Sequence, residues 1–257
     1  MPVRRKSTAF ASAAAASLCL TLGACAGDGD GGSGGNARKG GSITVGATVA
    51  PDSLDPAVAS SPQARQALWL VYTPPLTYRR AGRKSGAQLI PGLAEDMPEI
   101  SEDGTTYTFR IREGLRYSNR SPVRASDFEH TIKRVLTLKA GASFYRGIDG
   151  AEEYMKGSEK TADIAGIEAD DGRRQVTVRL TERDTTFLHK LAIGFAGMVP
   201  AGTPFTELAR DPPPGVGPYA IRRVTPGRGF VMSQTRGFRL EDVPEGNVQR
   251  ITTRLVR

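Results

Sequence analysis

The feature that most constrains the fold is a low-complexity stretch near the amino terminus. Residues 26–41 consist almost wholly of Gly, Asp, Ser and Asn. Such a composition cannot bury apolar surface, and it behaves as a flexible tether rather than as part of a packed core. We therefore predict that residues 25–41 form a tether and that the folded part of the chain begins at Ser42.

The residues before this tether are typical of an export signal. Three basic residues, Arg4, Arg5 and Lys6, precede an uncharged run over residues 8–24 that is rich in Ala and Leu. The run is too short and too rich in Ala for a membrane-spanning helix, which needs ~20 strongly apolar residues. It fits the apolar part of a signal peptide. We predict a signal peptide over residues 1–24.

The end of this segment points to lipid modification at Cys25. The sequence Leu22-Gly23-Ala24-Cys25 resembles the lipobox of bacterial lipoproteins. The resemblance implies cleavage before Cys25, a diacylglyceryl group on its thiol, and anchoring at the outer face of the cell membrane. The alternative is an ordinary secretory signal with a chance cysteine. The other cysteine, Cys19, lies in the signal, so the mature chain is expected to contain no disulfide.

Composition and charge narrow the class of protein. Hydrophobic residues make up 39% and charged residues 24% of the chain, as in globular proteins. The formal net charge is +8, but acidic residues are mixed in throughout. No block of five like charges occurs, and the basic residues are not interleaved with aromatic ones. Nucleic acid is therefore not expected as a partner.

The hydrophobic pattern predicts a mixed α+β chain without the regular strand–helix alternation of a doubly wound enzyme. Strands are predicted over residues 42–47, 105–111, 164–169, 175–180, 219–224, 230–234 and 251–255. A helix is predicted after Ser61-Pro62, with Trp69 near it as a packing residue. A second helix is predicted over residues 126–137, opened by a capping box from Ser126 to Glu129. A short helix is predicted around Phe187.

No residue pattern indicates catalysis or a metal site. The two histidines, His130 and His189, stand alone between apolar helix positions. No His, Asp or Glu cluster has the spacing of metal ligands, and no serine is marked as a nucleophile. We expect no cofactor, no metal ion and no enzymatic activity.

Five segments, in their order along the chain, resemble the family 5 solute-binding proteins, which are the peptide- and nickel-binding receptors of ABC importers. A first strand is followed by the sequence SLDP, and later segments resemble PGLAE, DGxxYTFxLRxG, PVTAxD and GTGPY. The matching residues are Ser53–Pro56, Pro91–Glu95, Asp103–Gly114, Pro122–Asp127 and Gly215–Tyr219. Each segment is weak evidence alone, and the resemblance rests on their shared order over about residues 41–257.

The resemblance implies a type II periplasmic-binding-protein-like fold. Residues 42–78 and 195–257 would form part of lobe one, and residues 79–194 an inserted small α+β domain. It also implies a monomeric receptor that binds oligopeptides, with nickel or sugars as alternatives, and that delivers them to a permease and its ATPase. A non-transporting binding or signalling lipoprotein, or an inactive remnant, is the alternative function.

The resemblance also suggests which residues contact the solute. The loop after the first strand occupies the place where the family's first lobe meets its ligand, although a plain strand-to-helix loop is the alternative. Two aromatic residues after the second helix are candidates to line the same cleft, with a core or interdomain contact as the alternative. These candidates are Val49, Ala50, Pro51, Asp52, Phe144 and Tyr145.

The chain departs from the family pattern in three places. Asn119-Arg120 stands where the family has Asp-Gly, and Arg236-Gly237-Phe238 replaces a longer Asn-Pro-x-Tyr-Trp segment. The last predicted strand continues to Arg257 with no closing helix, whereas the family's chains are about twice as long. We therefore expect a truncated form that lacks the second lobe, with a functional short form as the alternative.

Overall fold

The computed structural model describes residues 39–256, so the predicted signal peptide, Cys25 and most of the predicted tether lie outside the described residues. The strands are β1 (Ser42–Ala47), β2 (Leu76–Tyr78), β3 (Leu89–Pro91), β4 (Glu99–Ile100), β5 (Thr106–Arg110), β6 (Ile167–Asp170), β7 (Gln175–Arg179), β8 (Tyr219–Thr225), β9 (Gly229–Gln234) and β10 (Arg250–Leu255). The α-helices are α1 (Pro62–Leu68), α2 (Ser126–Leu138), α3 (Ala151–Lys156) and α4 (Phe187–Lys190). Short 3-10 helices cover Arg83–Ala87, Ala142–Phe144 and Gly194–Ala196.

The first four-stranded sheet has the order β1-β10-β9-β8. β1 pairs with β10 in parallel, and the other pairs are antiparallel. Apolar side chains of the inner strands, including Phe230, Met232 and Ile251, form one core with Leu68 of α1. The edge strand β1 is exposed along almost its whole length. This sheet is therefore packed at its centre and open at the β1 edge.

The second four-stranded sheet has the order β4-β5-β7-β6 and is antiparallel throughout. Its central strands alternate buried and less buried residues, as the period of two predicts. α2 covers the buried face, where the rings of Phe109 and Phe128 meet edge to face with centroids 5.5 Å apart. A separate two-stranded pair, β2 and β3, lies beside these layers.

The first predicted helix forms with the predicted start. Ser61 occupies the N-cap, its hydroxyl accepts the amide of Ala64 at 3.2 Å, and Pro62 is the first helical residue. Trp69 was predicted as a packing residue near this helix, but 48% of it is exposed. Its ring lies 5.8 Å from the guanidinium carbon of Arg80, which also donates a 2.7 Å hydrogen bond to the Trp69 carbonyl.

The second predicted helix is present, but the capping box that was predicted to open it is wrong. Ser126 is the first residue of α2, and Ala125 occupies the N-cap position without a side-chain hydrogen bond. The Ser126 hydroxyl donates to the carboxylate of Asp171 at 3.0 Å, and Glu129 accepts the amide of Ile164 at 3.0 Å. Ile164 precedes β6, and Asp171 lies in the turn between β6 and β7. These tertiary hydrogen bonds take the place of the local hydrogen bonds of a capping box.

The described residues contain two apolar clusters. One joins α1 to the first sheet, and the other lies between α2 and the second sheet. The second cluster also includes Leu76, Val216 and Phe238, which come from the segments predicted as lobe one. The division into segments 42–78 with 195–257, and 79–194, therefore stays a prediction. None of the helices within residues 39–256 is both long and apolar enough to cross a membrane.

Candidate functional site

The carboxyl-terminal ends of β1 and β10 and the turn between β8 and β9 lie together at one end of the first sheet, and we call this end the sheet edge. Because β1 and β10 run parallel, Ala47 and Leu255 lie side by side at this edge. The turn between β8 and β9 lies there too, since the amide of Leu255 donates to the carbonyl of Arg228 at 2.9 Å. The loop that contains the candidate residues Val49 to Asp52 leaves the sheet at the same edge.

A cavity of about 260 Å³ lies between this loop and the strand ends. We call it the edge cavity, and its apolar lining includes Ala50, Pro51, Leu54, Val224, Phe230 and Leu255. Among the described residues that line it, only Asp52 and Arg210 are charged. An apolar hollow with few polar groups is typical of a small-molecule or peptide side-chain site.

The carboxylate of Asp52 closes the loop on itself. It accepts hydrogen bonds from the amide and hydroxyl of Ser60, at 2.8 and 2.7 Å, and from those of Ser61, at 3.0 and 2.7 Å. Burial alone would raise the pKa of Asp52, but these hydrogen bonds outweigh it and hold the pKa below its usual value. Its lone pairs are occupied, so Asp52 shapes the loop. Ala50 and Pro51 line the edge cavity, whereas Val49 lies outside its lining and is 56% exposed.

A buried ion pair fixes the next part of the loop. Arg134 of α2 donates to both carboxylate oxygens of Asp55, at 3.1 and 2.8 Å, and both side chains have zero exposure. Asp55 also accepts the amide of Leu208 at 2.9 Å, and Arg134 donates to the carbonyl of Pro204 at 2.7 Å. The pair therefore ties the candidate loop to α2 and to the segment before the GVGPY sequence. Sequence reasoning missed it.

The two aromatic candidates lie elsewhere. Tyr145 is 1% exposed, and its hydroxyl donates to the carbonyl of Lys190 at 2.9 Å. Burial raises the pKa of Tyr145, and its side chain is part of the core rather than of a cleft wall. Phe144 is 38% exposed, packs on Phe195 with ring centroids 5.7 Å apart, and lines a separate cavity of about 690 Å³. That cavity shares no lining residue with the edge cavity.

Neither histidine lines the edge cavity. His130 lies 2.8 Å from the carbonyl of Thr203, and His189 lies 2.8 Å from the hydroxyl of Tyr78. Within residues 39–256, no group of three or more His, Cys, Asp or Glu side chains is placed to hold a metal ion. The cavity can bury an apolar group, and Arg210 can pair with an anion.

The fold and this site define a class, the type II periplasmic-binding-protein-like receptors, which agrees with the predicted fold class. The family model of the bacterial extracellular solute-binding proteins, family 5 (middle region), matches residues 88–256, well over half of the chain. The chain belongs to this family, as its motifs predicted.

Three known proteins illustrate the relationship. The dipeptide-binding protein DppE of Bacillus subtilis (strain 168) is 40% identical over 96 residues, which are 36% of this chain and 18% of that protein. The dipeptide-binding protein of Escherichia coli (strain K12) is 32% identical over 164 residues, 58% of this chain and 30% of that protein. The solved structure of the clavulanic acid biosynthesis oligopeptide binding protein 2 matches with a TM-score of 0.77 and 25% identity, over 85% of this chain and 40% of that one.

This chain therefore spans less than a third of the length of these two curated relatives, and 40% of the solved structure. Members of the family are solute-binding proteins, and the printed names of these three relatives refer to dipeptides or oligopeptides.

Proposed function

We propose that this chain is the solute-binding lipoprotein of an ABC importer and that oligopeptides are its solute. The family match over residues 88–256 is the observation that carries the proposal. The peptide-binding names of its relatives support the choice of solute. The edge cavity supports the choice of site, because it is the apolar hollow that the candidate loop itself lines.

In this proposal the edge cavity receives an apolar side chain of the peptide. Ala50 and Pro51 contact it from the loop, Val49 beside them is 56% exposed and free to meet the peptide backbone, and Arg210 pairs with a carboxylate. Main-chain pairing with loosely filled, hydrated side-chain pockets gives affinity without strict sequence preference. Where a second lobe faces lobe one, closure of the two lobes would then bury the solute.

The proposal includes the predicted organisation of the chain. Residues 42–78 and 195–257 form lobe one, and residues 79–194 form the inserted domain, which presents Phe144 at a second surface. The receptor acts as a monomer that delivers its solute to a permease and an ATPase.

The proposed anchor is a lipid on Cys25, which holds the receptor at the outer face of the cell membrane. Fractionation of cells that produce the parent chain or Cys25→Ser tests this part separately. We expect the variant to leave the membrane fraction, and equal membrane retention of both forms would contradict the anchor.

Peptide binding is tested by filling the edge cavity. Ala50 is exposed, so Ala50→Trp adds bulk at the cavity mouth without disturbing the core. Ala81→Trp is the matched control, because Ala81 is also exposed on a loop and does not line the cavity. Calorimetric titration with a dipeptide and oligopeptide pool measures both variants against the parent chain.

We expect Ala50→Trp to weaken peptide binding by about tenfold or more, since the side-chain site is lost. Ala81→Trp should bind as the parent does. A parent chain that binds no peptide would contradict the proposed function, whereas equal affinities of all three proteins would contradict only the site.

A further inference from the structure

A second cavity, of about 490 Å³, is lined by several arginine side chains. It lies between the loop over residues 114–120, strand β8 and the segment that follows β9. Within residues 39–256, its lining contains five arginines and no Asp, Glu or Lys. We call it the arginine cavity, after Arg116, Arg120, Arg222, Arg236 and Arg239.

These arginines are almost entirely without acidic partners. Within residues 39–256, Arg239 is the only one of the five with a carboxylate oxygen within 4.0 Å, that of Glu245 at 3.7 Å. The Arg239 side chain is 85% exposed, so this pair is weak. All five residues are exposed, so solvent screens much of their mutual repulsion, but an anion bound in the cavity would still gain from their summed positive charge.

The backbone at Arg120 adds an independent observation. Its φ angle is +73°, in the left-handed region that glycine adopts at lower cost than any other residue. This is the position where the family sequence has glycine and this chain has arginine. The Arg120 carbonyl accepts a 3.0 Å hydrogen bond from Arg116, so the turn also positions a second guanidinium of the cavity.

Hydroxyl groups also belong to this lining. Ser118 and Ser233 are partly exposed there, and their hydroxyls can donate to an oxyanion. The Oγ1 atom of Thr235 is closed to solvent, so it is not among the groups that a bound anion would contact.

We propose that the arginine cavity binds a phosphate group, carried either by a soluble phosphate compound or by a lipid head group. Arginine is suited to this ligand because its planar fork donates two parallel hydrogen bonds to neighbouring oxygens. A phosphate offers several acceptor oxygens and up to two negative charges, which suits a cavity lined by several arginines better than a single carboxylate does. The site is separate from the edge cavity, because the two share no lining residue.

Two exposed arginines on neighbouring positions of β8 make a matched test. Arg222 lines the arginine cavity and Arg223 does not. Arg222→Gln, the double variant Arg222→Gln/Arg236→Gln, and the control Arg223→Gln are made in the full chain, and their melting curves establish that each is folded. Binding of inorganic pyrophosphate is measured by calorimetry at fixed ionic strength, with acetate as the carboxylate control.

We expect saturable pyrophosphate binding that Arg222→Gln weakens by about tenfold and the double variant by more, since each change removes charge-assisted hydrogen bonds. Arg223→Gln should bind as the parent does. The proposal is overturned if pyrophosphate does not bind, if acetate binds equally well, or if Arg223→Gln loses as much affinity as Arg222→Gln.

A vesicle experiment distinguishes the two sources of phosphate. The parent chain and the double variant are sedimented with vesicles of phosphatidylglycerol and phosphatidylcholine, and with vesicles of phosphatidylcholine alone. If the parent chain sediments with the anionic vesicles and the double variant does not, the ligand is a lipid head group. If both proteins sediment equally, while the double variant still loses pyrophosphate binding, the ligand is a soluble phosphate compound.

Discussion

The two four-stranded sheets of the molecule differ in the helix that covers them. In the sheet β4-β5-β7-β6, the 13-residue α2 closes one face, and Ile132 on that helix has no exposure. In the sheet β1-β10-β9-β8, the 7-residue α1 packs on the inner strands, and the edge strand β1 leaves Ile43 and Val45 45% and 44% exposed. Each sheet has its own apolar core and an exposed edge strand, since Ile100 on β4 is 48% exposed, but it is the first sheet that carries the candidate loop and the edge cavity. Binding regions are commonly drawn from the less stabilised part of a fold.

The largest effect is expected at the contact between these two regions. The Asp55–Arg134 pair joins the loop after β1 to α2. Arg134→Met leaves the Asp55 carboxylate buried and unpaired, which should cost about 3–5 kcal/mol of unfolding free energy in a urea titration. The control is Arg146→Met, which removes an exposed pair with Glu152 and should cost under about 1 kcal/mol. Similar losses in both variants would contradict the anchoring role of the buried pair.

The sheets themselves are compared by the same substitution at two isoleucines. Ile132→Ala removes a fully buried side chain between α2 and the second sheet, and it should cost about 2–5 kcal/mol. Ile43→Ala on β1 should cost less than about 1 kcal/mol, because the side chain is already half in solvent. Chemical denaturation measures both. A larger loss at Ile43 would mean that the first sheet is the better covered one.

A smaller difference in unfolding free energy is expected between substitutions at the first turns of α1 and α2. Ser61 caps α1, so Ser61→Ala should cost about 1 kcal/mol. Ser126 lies inside α2 and bonds an exposed carboxylate, so Ser126→Ala should cost only a few tenths of a kcal/mol. Urea midpoints of the two variants measure this difference. A greater loss of unfolding free energy in Ser126→Ala than in Ser61→Ala would support the capping box that the sequence predicts.

The smallest effect concerns the pH dependence of stability. Burial lowers the pKa of His130, whose ring lies against the carbonyl of Thr203 and the ring of Phe205. The unfolded chain therefore binds the proton first as the pH falls below about 6.5, and stability is lost from there towards the lower folded pKa. His130→Gln should show a shallower loss of stability between about pH 7 and pH 5 in urea titrations. If the unfolding free energy of His130→Gln falls with pH as steeply as that of the parent chain, His130 does not contribute to the pH dependence of stability.

Local sequence signals predicted most elements of both sheets, although β4 was not predicted and β6 begins three residues later than expected. Alternation around Tyr107 and Phe109 identified β5, the Ser61-Pro62 pair identified the start of α1, and the apolar stripe through Phe128 identified α2. These signals succeed because each depends on neighbours within a few residues. The capping box at Ser126 failed because residues far along the chain supply its partners.

The candidate site was predicted less completely. The resemblance pointed to the loop over Val49 to Asp52 as a ligand contact, which stays a prediction, and it gave no role for the Asp52 carboxylate that the structure shows. The ion pair between Asp55 and Arg134 joins residues 79 positions apart, and no local pattern records such a contact. The opposite wall of the edge cavity, at Val224 and Phe230, depends on strand register, which becomes known only in the folded chain.

Amide hydrogen exchange with and without a dipeptide and oligopeptide pool tests the central claim most directly, because one experiment reports on both regions. Binding at the edge cavity should slow exchange over residues 49–54 and over the turn between β8 and β9, while exchange in α2 stays the same. Protection confined to α2 and the second sheet, or no change anywhere at saturating peptide, would contradict the account.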